Sequence, residues 1–410
     1  MVPIDQADAK ARIPELERLC LLRPTSTLLA DLGAHYFTVN RPQEALACLL
    51  KAWEKNHHSS IAMNLALTLK DLGRHDEAFQ YVEQAYLLTP DDQYVRLGYA
   101  EALLKAGHWR RAWPIYDNSR PTQLGAALNL NLPSSVKEWD GHDLPAGHLL
   151  LVINEGGSGD RLNYARWLPE LTRRGINWKF YPYDVMFPFF TRIFDRNLLV
   201  ADNENIPNPT HWATTFSLPA KLNAGPNGIP DPLPITASSE ASQKYRITRA
   251  GSLPVVGLCY QAAELFQGGR RVRSLTEGQA MRLVCSTLDK VAWVSLQYDA
   301  HMAWPVSNVR MQSWDDTAGL ISNLDAVVTV DTGIYHLAGA MRKPMMTLLS
   351  GNSCWKFLRS GRDRWYPTSR LYRNEGHGLE NAINKLIGEI RDGTAFGVNQ
   401  TAETTGLLRA

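Results

Sequence analysis

Three stretches of this sequence set reactive or anion-binding side chains beside glycine. In the first, Glu155-Gly156-Gly157-Ser158-Gly159-Asp160 follows an apolar run, His148 to Asn154, and leads into a helical segment beginning near Arg161. Gly157 and Gly159 let backbone N–H groups approach a ligand, and a helix start offers the positive end of its dipole. Asp160 stands where it can act as a base or merely cap the helix. The stretch lacks the Lys-Ser/Thr ending of a nucleoside-triphosphate loop and the GxGxxG spacing, so a tight strand-to-helix turn explains the glycines equally well. The second stretch runs from Val327 through Asp331-Thr332-Gly333 to His336 and Ala340. A β-branched strand ends there in Asp331, and ligands of open α/β sheets bind at such carboxyl ends. Read alone, Asp331 could be an N-cap, and a lone His336 is more often a satisfied interior histidine. The third is Gly268-Gly269-Arg270-Arg271-Val272-Arg273-Ser274, whose arginines suit a diphosphate, although a solvated loop has the same composition.

Metal chemistry has no such foothold. Cys20, Cys48, Cys259, Cys285 and Cys354 are odd in number, form no CxxC pair and have no His at zinc spacing, which points to reduced thiols. Asp315-Asp316 reads as a helix start and Asp91-Asp92 falls among the repeats described below, so no DxD ends a suitable strand and no metal ligands are expected. With 44% hydrophobic and 20% charged residues the chain is no disordered, collagenous or disulfide-scaffold protein. Forty-three Lys and Arg against 41 Asp and Glu leave +2, too little for a global pull toward nucleic acid or membrane. Met1 to Lys10 carries no apolar leader, and nowhere do about 18 apolar residues run together, so a cytoplasmic protein without a membrane span is expected.

The elements that must position these residues change grammar along the 410 residues, a length that argues for two or three domains. Up to residue 121 three columns recur at about 33 to 34 residues, as in tetratricopeptide repeats: Gly33, Ala66 and Ala100; Asn40, Gly73 and Gly107; Ala45, Ala78 and Ala112. The second repeat predicts helices over 60–72 and 76–88. In the third, Pro114 is expected to break the second helix. From 122 onward, short apolar runs alternate with helical segments, the pattern of a parallel sheet with crossover helices. Strands are expected at 148–154, 178–183, 254–260, 291–297, 326–330 and 344–349, and a Pro-, Asn-, Gly- and Ser-rich stretch at 206–239 marks a boundary. The division is therefore 1–121 helical repeats, 122–240 a first α/β lobe, 241–395 a second, and 396–410 a polar tail.

Trp139-Asp140-Gly141, the Glu155 to Asp160 turn with Tyr164 to Pro169, Arg273-Ser274-Leu275, Ser295-Leu296-Gln297, Asp331-Thr332 to Ala340, Lys343-Pro344 and Trp365-Tyr366-Pro367 occur in an order that carries a resemblance. The chain resembles bacterial and phage tetratricopeptide-repeat glycosyltransferases, related to heptosyltransferases and more distantly to protein O-linked N-acetylglucosamine transferases. The resemblance implies an α/β fold of the glycosyltransferase-B type behind all-α repeats: two Rossmann-like lobes, the acceptor side first and the nucleotide-sugar side second. It implies Asp160 as the base that deprotonates the acceptor, and Arg273 or Arg271 as the residue that neutralises the donor diphosphate. Asp331, Thr332, Gly333 and His336 would line the donor site, with Gly157, Gly159, Gln261, Ser274 and Gln297 on its edges. Two departures matter: Cys259-Tyr260-Gln261 replaces a Trp-x-Gly turn, and Gly269-Arg270-Arg271-Val272 replaces a Lys-containing run. The function expected is inverting, metal-independent transfer from a nucleoside-diphosphate sugar, a co-substrate rather than a cofactor, to a protein, a glycan or a modified DNA base. The rival expectation is a noncatalytic scaffold whose repeats contact another protein and whose transferase lobes are a relic. The repeats themselves are expected to brace the first lobe.

Overall fold

The computed structural model describes residues 4–119, 132–182, 184–201, 208–249, 251–262, 266–267, 270–271, 273–298, 302–351, 353–374 and 379–396. The repeats form helical hairpins: α2 (Ser26–Thr38) with α3 (Pro42–Lys55), α4 (Ser59–Asp71) with α5 (His75–Leu88), and α6 (Gln93–Lys105) with α7 (Trp109–Ser119), preceded by α1 (Gln6–Leu22). Each repeating column has its own cause. Asn40, Gly73 and Gly107 lie at φ 62°, 74° and 86°, the left-handed turn that ends the first helix of each pair. Ala45, Ala78 and Ala112 are buried where the second helix meets the first. Gly33 is forced by contact, since a Cβ there would stand 2.7 Å from Leu49 Cγ. The expectation for Pro114 fails, for it lies inside α7. The carbonyl it cannot bond belongs to Arg110, an exposed residue whose oxygen water can serve.

Two parallel sheets follow. The first comprises β1 (Lys137–Glu138), β2 (Leu150–Ile153), β3 (Trp178–Tyr181) and β4 (His211–Thr214) in the order β1-β4-β2-β3. The second comprises β5 (Val255–Cys259), β6 (Ala292–Ser295), β7 (Ala326–Val330), β8 (Met345–Leu349) and β9 (Ser369–Arg373) in the order β9-β8-β7-β5-β6. β4 lies within the stretch read as a boundary, and β9 is not among the strands expected. Beyond β4, a short helix at Ser239–Lys244 packs on α10 (Trp314–Ser322), so close that a Cβ on Gly319 would stand 2.5 Å from the Ala241 carbonyl. The helices that carry the sites are α8 (Ser158–Tyr164) after β2, α9 (Glu277–Cys285) and α11 (Gly333–Ala340) after β7; α12 (Glu380–Arg391) closes the second lobe.

The repeats do more than brace the first lobe, because they bridge both. Toward the first, Trp113 Nε1 donates to the Ala224 carbonyl at 2.7 Å and Lys221 pairs with Asp117 at 2.6 Å. Toward the second, Lys105 Nζ donates to Ser353 Oγ at 2.9 Å and Asn374 Nδ2 to the Asp71 carbonyl at 3.0 Å. Trp109, Trp113, Trp355 and Trp365 meet edge to face or tilted, with centroids 5.3 to 6.2 Å apart where repeat and second lobe touch. No helix among the described residues is long and apolar enough to cross a membrane.

Candidate active site

In the second sheet the chain turns from one side of β5 to the other, so β5 and β7 are neighbours without being successive. Their carboxyl ends form the switch point where open sheets hold ligands. Asp331 follows β7, buried at 4% exposure, with Arg273 Nη1 3.5 Å from its Oδ2. Arg273 Nε is buried and has no partner among the described residues. Thr332 caps α11 by accepting from Ile334 N at 3.0 Å, and its Oγ1 lies 3.8 Å from Cys259 Sγ. Burial pushes that thiol up to about 11, so it stays neutral. Gln297 and Ser274 hold the loop after β5: Gln297 Oε1 accepts from Gln261 N at 2.9 Å, and Ser274 Oγ from Ala262 N at 3.0 Å. The structure therefore gives Gln261, Ser274 and Gln297 to one loop, as its own internal ties. The Arg271 side chain lies outside the described residues, as do 268–269 and 272.

Asp160 arrives from the first lobe in the first turn of α8, a helix of seven residues that passes into a 3₁₀ turn. Gly156 holds φ 82° in the preceding turn. Gly159 is needed for contact between the lobes: a Cβ there would stand 2.7 Å from His336 Cδ2 and 2.8 Å from Gly333 Cα. The two helix starts are thus packed against each other, and Asp160, Gly333 and His336 share one place. Gly156 leaves the carboxylate room, since a Cβ there would stand 2.9 Å from Asp160 Cβ and 3.1 Å from its Oδ2, whereas one on Gly157 would stand 3.9 Å from that oxygen, an ordinary contact.

The residue that joins them is Lys356, which the sequence reading missed. Its Nζ lies 3.1 Å from Asp160 Oδ1 and 3.1 Å from His336 Nε2. Burial opposes the charge of this ammonium, but Asp160, Cys354 and Asp331 outweigh it and hold its pKa above the ordinary lysine value. An ammonium only donates, so His336 Nε2 accepts and the ring proton sits on Nδ1. Nδ1 then donates to Tyr366 Oη at 3.1 Å, and Tyr366 donates to Asn163 Oδ1 at 3.2 Å. Burial, then the charges of Lys356, Arg166 and Arg273, keep the His336 pKa well below the usual imidazole range. His336 is therefore a neutral, fully engaged relay rather than a free base. Arg166, 1% exposed, closes the same seam by donating to the Trp365 carbonyl at 2.9 Å while its guanidinium lies 4.7 Å from the Tyr366 ring centre.

The site thus offers a carboxylate with one oxygen held by lysine and the other beside glycine, a guanidinium with a buried unpartnered N–H, and the amino end of α11. That combination can take a proton from a nucleophile and stabilise a departing oxyanion. The carboxylates of Asp315 and Asp316 are engaged elsewhere, by Arg192 at 2.8 Å and Lys244 at 2.9 Å. Arg359 pairs with Asp76, and Arg364 with Asn227.

A tetratricopeptide-repeat family model matches residues 69–118, and that of glycosyltransferase family 9 (heptosyltransferase) matches residues 277–360. The second span contains Asp331, Thr332, Gly333, His336 and Lys356, and excludes Asp160 and Arg273. Protein FlbA of Caulobacter vibrioides is 24% identical over 92% of this chain and 67% of its own length. Among solved structures, a mutant of the Thermobaculum terrenum O-GlcNAc transferase is 14% identical, with a TM-score of 0.32, over 96% of this chain and 92% of that one. The iron-containing dodecameric glycosyltransferase TibC of enterotoxigenic E. coli H10407 is 12% identical, with a TM-score of 0.42, over 61% of this chain and 81% of its own. The architecture is that of helical repeats joined to two parallel-sheet α/β lobes, the second of which carries the family 9 match.

Proposed function

We propose, from the family 9 segment in the second lobe, that this chain is a glycosyltransferase moving a sugar from a nucleoside diphosphate to an acceptor hydroxyl. The observation that carries the reading is the meeting of Asp160 from the first lobe with Arg273, Asp331 and the α11 start from the second, linked through Lys356. Asp160 acts as general base, its Oδ2 accepting the acceptor proton while Lys356 fixes Oδ1. Arg273, aimed by Asp331, donates its free Nε–H to the diphosphate as the glycosidic bond breaks, and the N–H groups opening α11 add to that stabilisation. Fixed cations in these positions supply the charge that a divalent metal supplies elsewhere, which supports a metal-independent reaction. With Asp331 held by Arg273, Asp160 is the one carboxylate of the pair left to face the acceptor, which supports direct displacement with inversion. The acceptor class stays open among a protein side chain, a glycan and a modified nucleobase.

The test is a panel of UDP, GDP, ADP and CMP sugars titrated into the full chain, followed by donor turnover with Asp160→Asn. Binding of one donor, with turnover lowered about 10²-fold and binding retained in Asp160→Asn, is the expected result. No binding to any donor, or unchanged turnover with a lowered Tm in the variant, would leave Asp160 a helix residue only.

A further inference from the structure

The hydrogen bonds that lead away from Asp160 come back to the helix they left. From Asp160 on α8 they pass to Lys356, His336 and Tyr366 of the second lobe, and they return to Asn163, one turn along α8. The circuit therefore crosses between the lobes twice, at Lys356–Asp160 and at Tyr366–Asn163. Its polarity is forced at every link. An ammonium has only protons to give, so His336 Nε2 accepts; Nδ1–H must then donate to Tyr366 Oη, and the phenol proton is left for Asn163 Oδ1. Tyr366 and Asn163 are fully buried, so solvent does not stand in for either link.

The far half of the circuit is held as firmly as the near half. The Tyr366 ring lies on α11 where Gly339 has no side chain: a Cβ there would stand 2.3 Å from the ring's Cγ. The backbone N–H groups of Trp365 and Tyr366 donate to Asp363 Oδ1 at 2.8 and 3.2 Å, and Asp363 Oδ2 accepts from Tyr335 Oη at 2.7 Å. On the first lobe, Arg166 Nε donates to the Asn163 carbonyl at 2.9 Å. Asn163 Nδ2 is buried with no hydrogen-bond partner, a loss that a leucine of similar size would avoid. Stability alone does not account for an asparagine at this position, and the acceptor oxygen it offers Tyr366 does.

We propose that Tyr366 and Asn163 are positioning residues for the transfer: they hold the His336 proton on Nδ1, which keeps Nε2 open to Lys356 and Lys356 on Asp160 Oδ1. The inference rests on Asp160 being the base proposed above. Without Tyr366 Oη the Nδ1 proton loses its acceptor, and the balance shifts toward the tautomer protonated on Nε2. That tautomer turns an N–H against the ammonium and displaces Lys356, so Asp160 is no longer aimed.

The test compares the full chain with Tyr366→Phe, Asn163→Leu and Asn163→Asp, and repeats Tyr366→Phe in the Lys356→Met background. Tyr366→Phe should lower donor turnover about tenfold with the donor KM unchanged, because Arg273 and the α11 start are untouched. Asn163→Leu should do the same, and Asn163→Asp, which keeps an acceptor oxygen in either protonation state, should recover most of the rate. In the Lys356→Met background, Tyr366→Phe should lower turnover no further. Nitrogen NMR should show the His336 proton shifting from Nδ1 toward Nε2 in Tyr366→Phe. Full turnover in Tyr366→Phe overturns the proposal, as does Asn163→Asp as slow as Asn163→Leu. So do equal losses with and without Lys356, because a merely structural tyrosine acts alike in both backgrounds. A wild type that turns over no donor refutes the function proposed above instead, and the circuit is then judged by the imidazole alone: an unchanged Nδ1 tautomer in Tyr366→Phe and Asn163→Leu overturns it.

Discussion

Replacing Lys356 with Met removes one ammonium that serves two partners, Asp160 Oδ1 and His336 Nε2, each 3.1 Å away. Opposite unit charges at that separation attract by about 5 kcal/mol at an effective dielectric near 20. The Asp160 side chain is 35% exposed, so water screens part of this attraction and hydrates the carboxylate once the lysine is gone. The ammonium side chain is 5% exposed and has already forfeited hydration worth several kcal/mol, which Met never had to lose. Gain and loss nearly cancel, and the variant should differ from the wild type by at most about 2 kcal/mol in urea unfolding. Function should suffer far more. With Oδ1 released, Asp160 loses its fixed orientation, and turnover should fall about 10²-fold, while donor affinity, carried by Arg273 and α11, holds. Nitrogen NMR provides a second reading: His336 in the wild type carries its proton on Nδ1. In Lys356→Met the donor to Nε2 disappears and the His336 pKa rises, because the lysine charge is a main depressant after burial. Lys356→Arg, which keeps the charge, should restore part of the rate. Full turnover in Lys356→Met despite a changed imidazole signal would refute the positioning role.

Arg273→Ala should weaken nucleoside-diphosphate binding by about 1.5 to 3 kcal/mol, the range for a charge-assisted hydrogen bond, and calorimetry that finds no change would take the diphosphate away from this arginine. Transfer should survive excess EDTA yet fall with rising salt, since Arg273 is partly exposed; loss in EDTA restored by Mn²⁺ would instead implicate carboxylates such as Asp315 and Asp316. Stability should decline with acid. Burial, then Lys105 and Lys70, lower the His75 pKa to about 4, and His336 is lowered too, whereas an unfolded histidine titrates near 6.5. Their stabilisation is complete above about pH 6.5 and is lost as pH falls from there toward 4. Urea midpoints that stay level between pH 7.5 and 5 would contradict this.

Local physics was legible wherever a residue type has one conformational reason to be present. Gly73 announced the turn between its two helices, and the β-branched run before Asp331 announced a buried strand, although the cap offered there, Asp331, gives way to Thr332. Short elements were not legible. β4 has four residues, His-Trp-Ala-Thr, amid prolines and asparagines, and its strand character comes from pairing with β2 on one side and β1 on the other. β9 buries only Ser369 and Tyr372 of its five residues and carries Arg370 and Arg373, so this edge strand shows no period-2 apolar pattern. Lys356 gave no signal because its partner is 196 positions away, and nothing in an aromatic run, Trp355-Lys356-Phe357, reports so distant a contact. The same holds for Arg166, which looks like a surface arginine until the second lobe covers it.

One apolar core runs without interruption from Leu49 and Leu65 in the repeats, through Trp109 and Trp113, to Trp139 and Phe180 in the first lobe and Val327 and Tyr366 in the second. A body with a shared interior melts cooperatively, so repeats and lobes should lose structure in one transition rather than as beads released in turn. A cut after α7 would bare the indoles of Trp355 and Trp365, each a large apolar surface with no replacement cover. The helical hairpins are in that sense a wall of the two lobes, and a fragment freed from them would be prone to aggregate before it could be assayed.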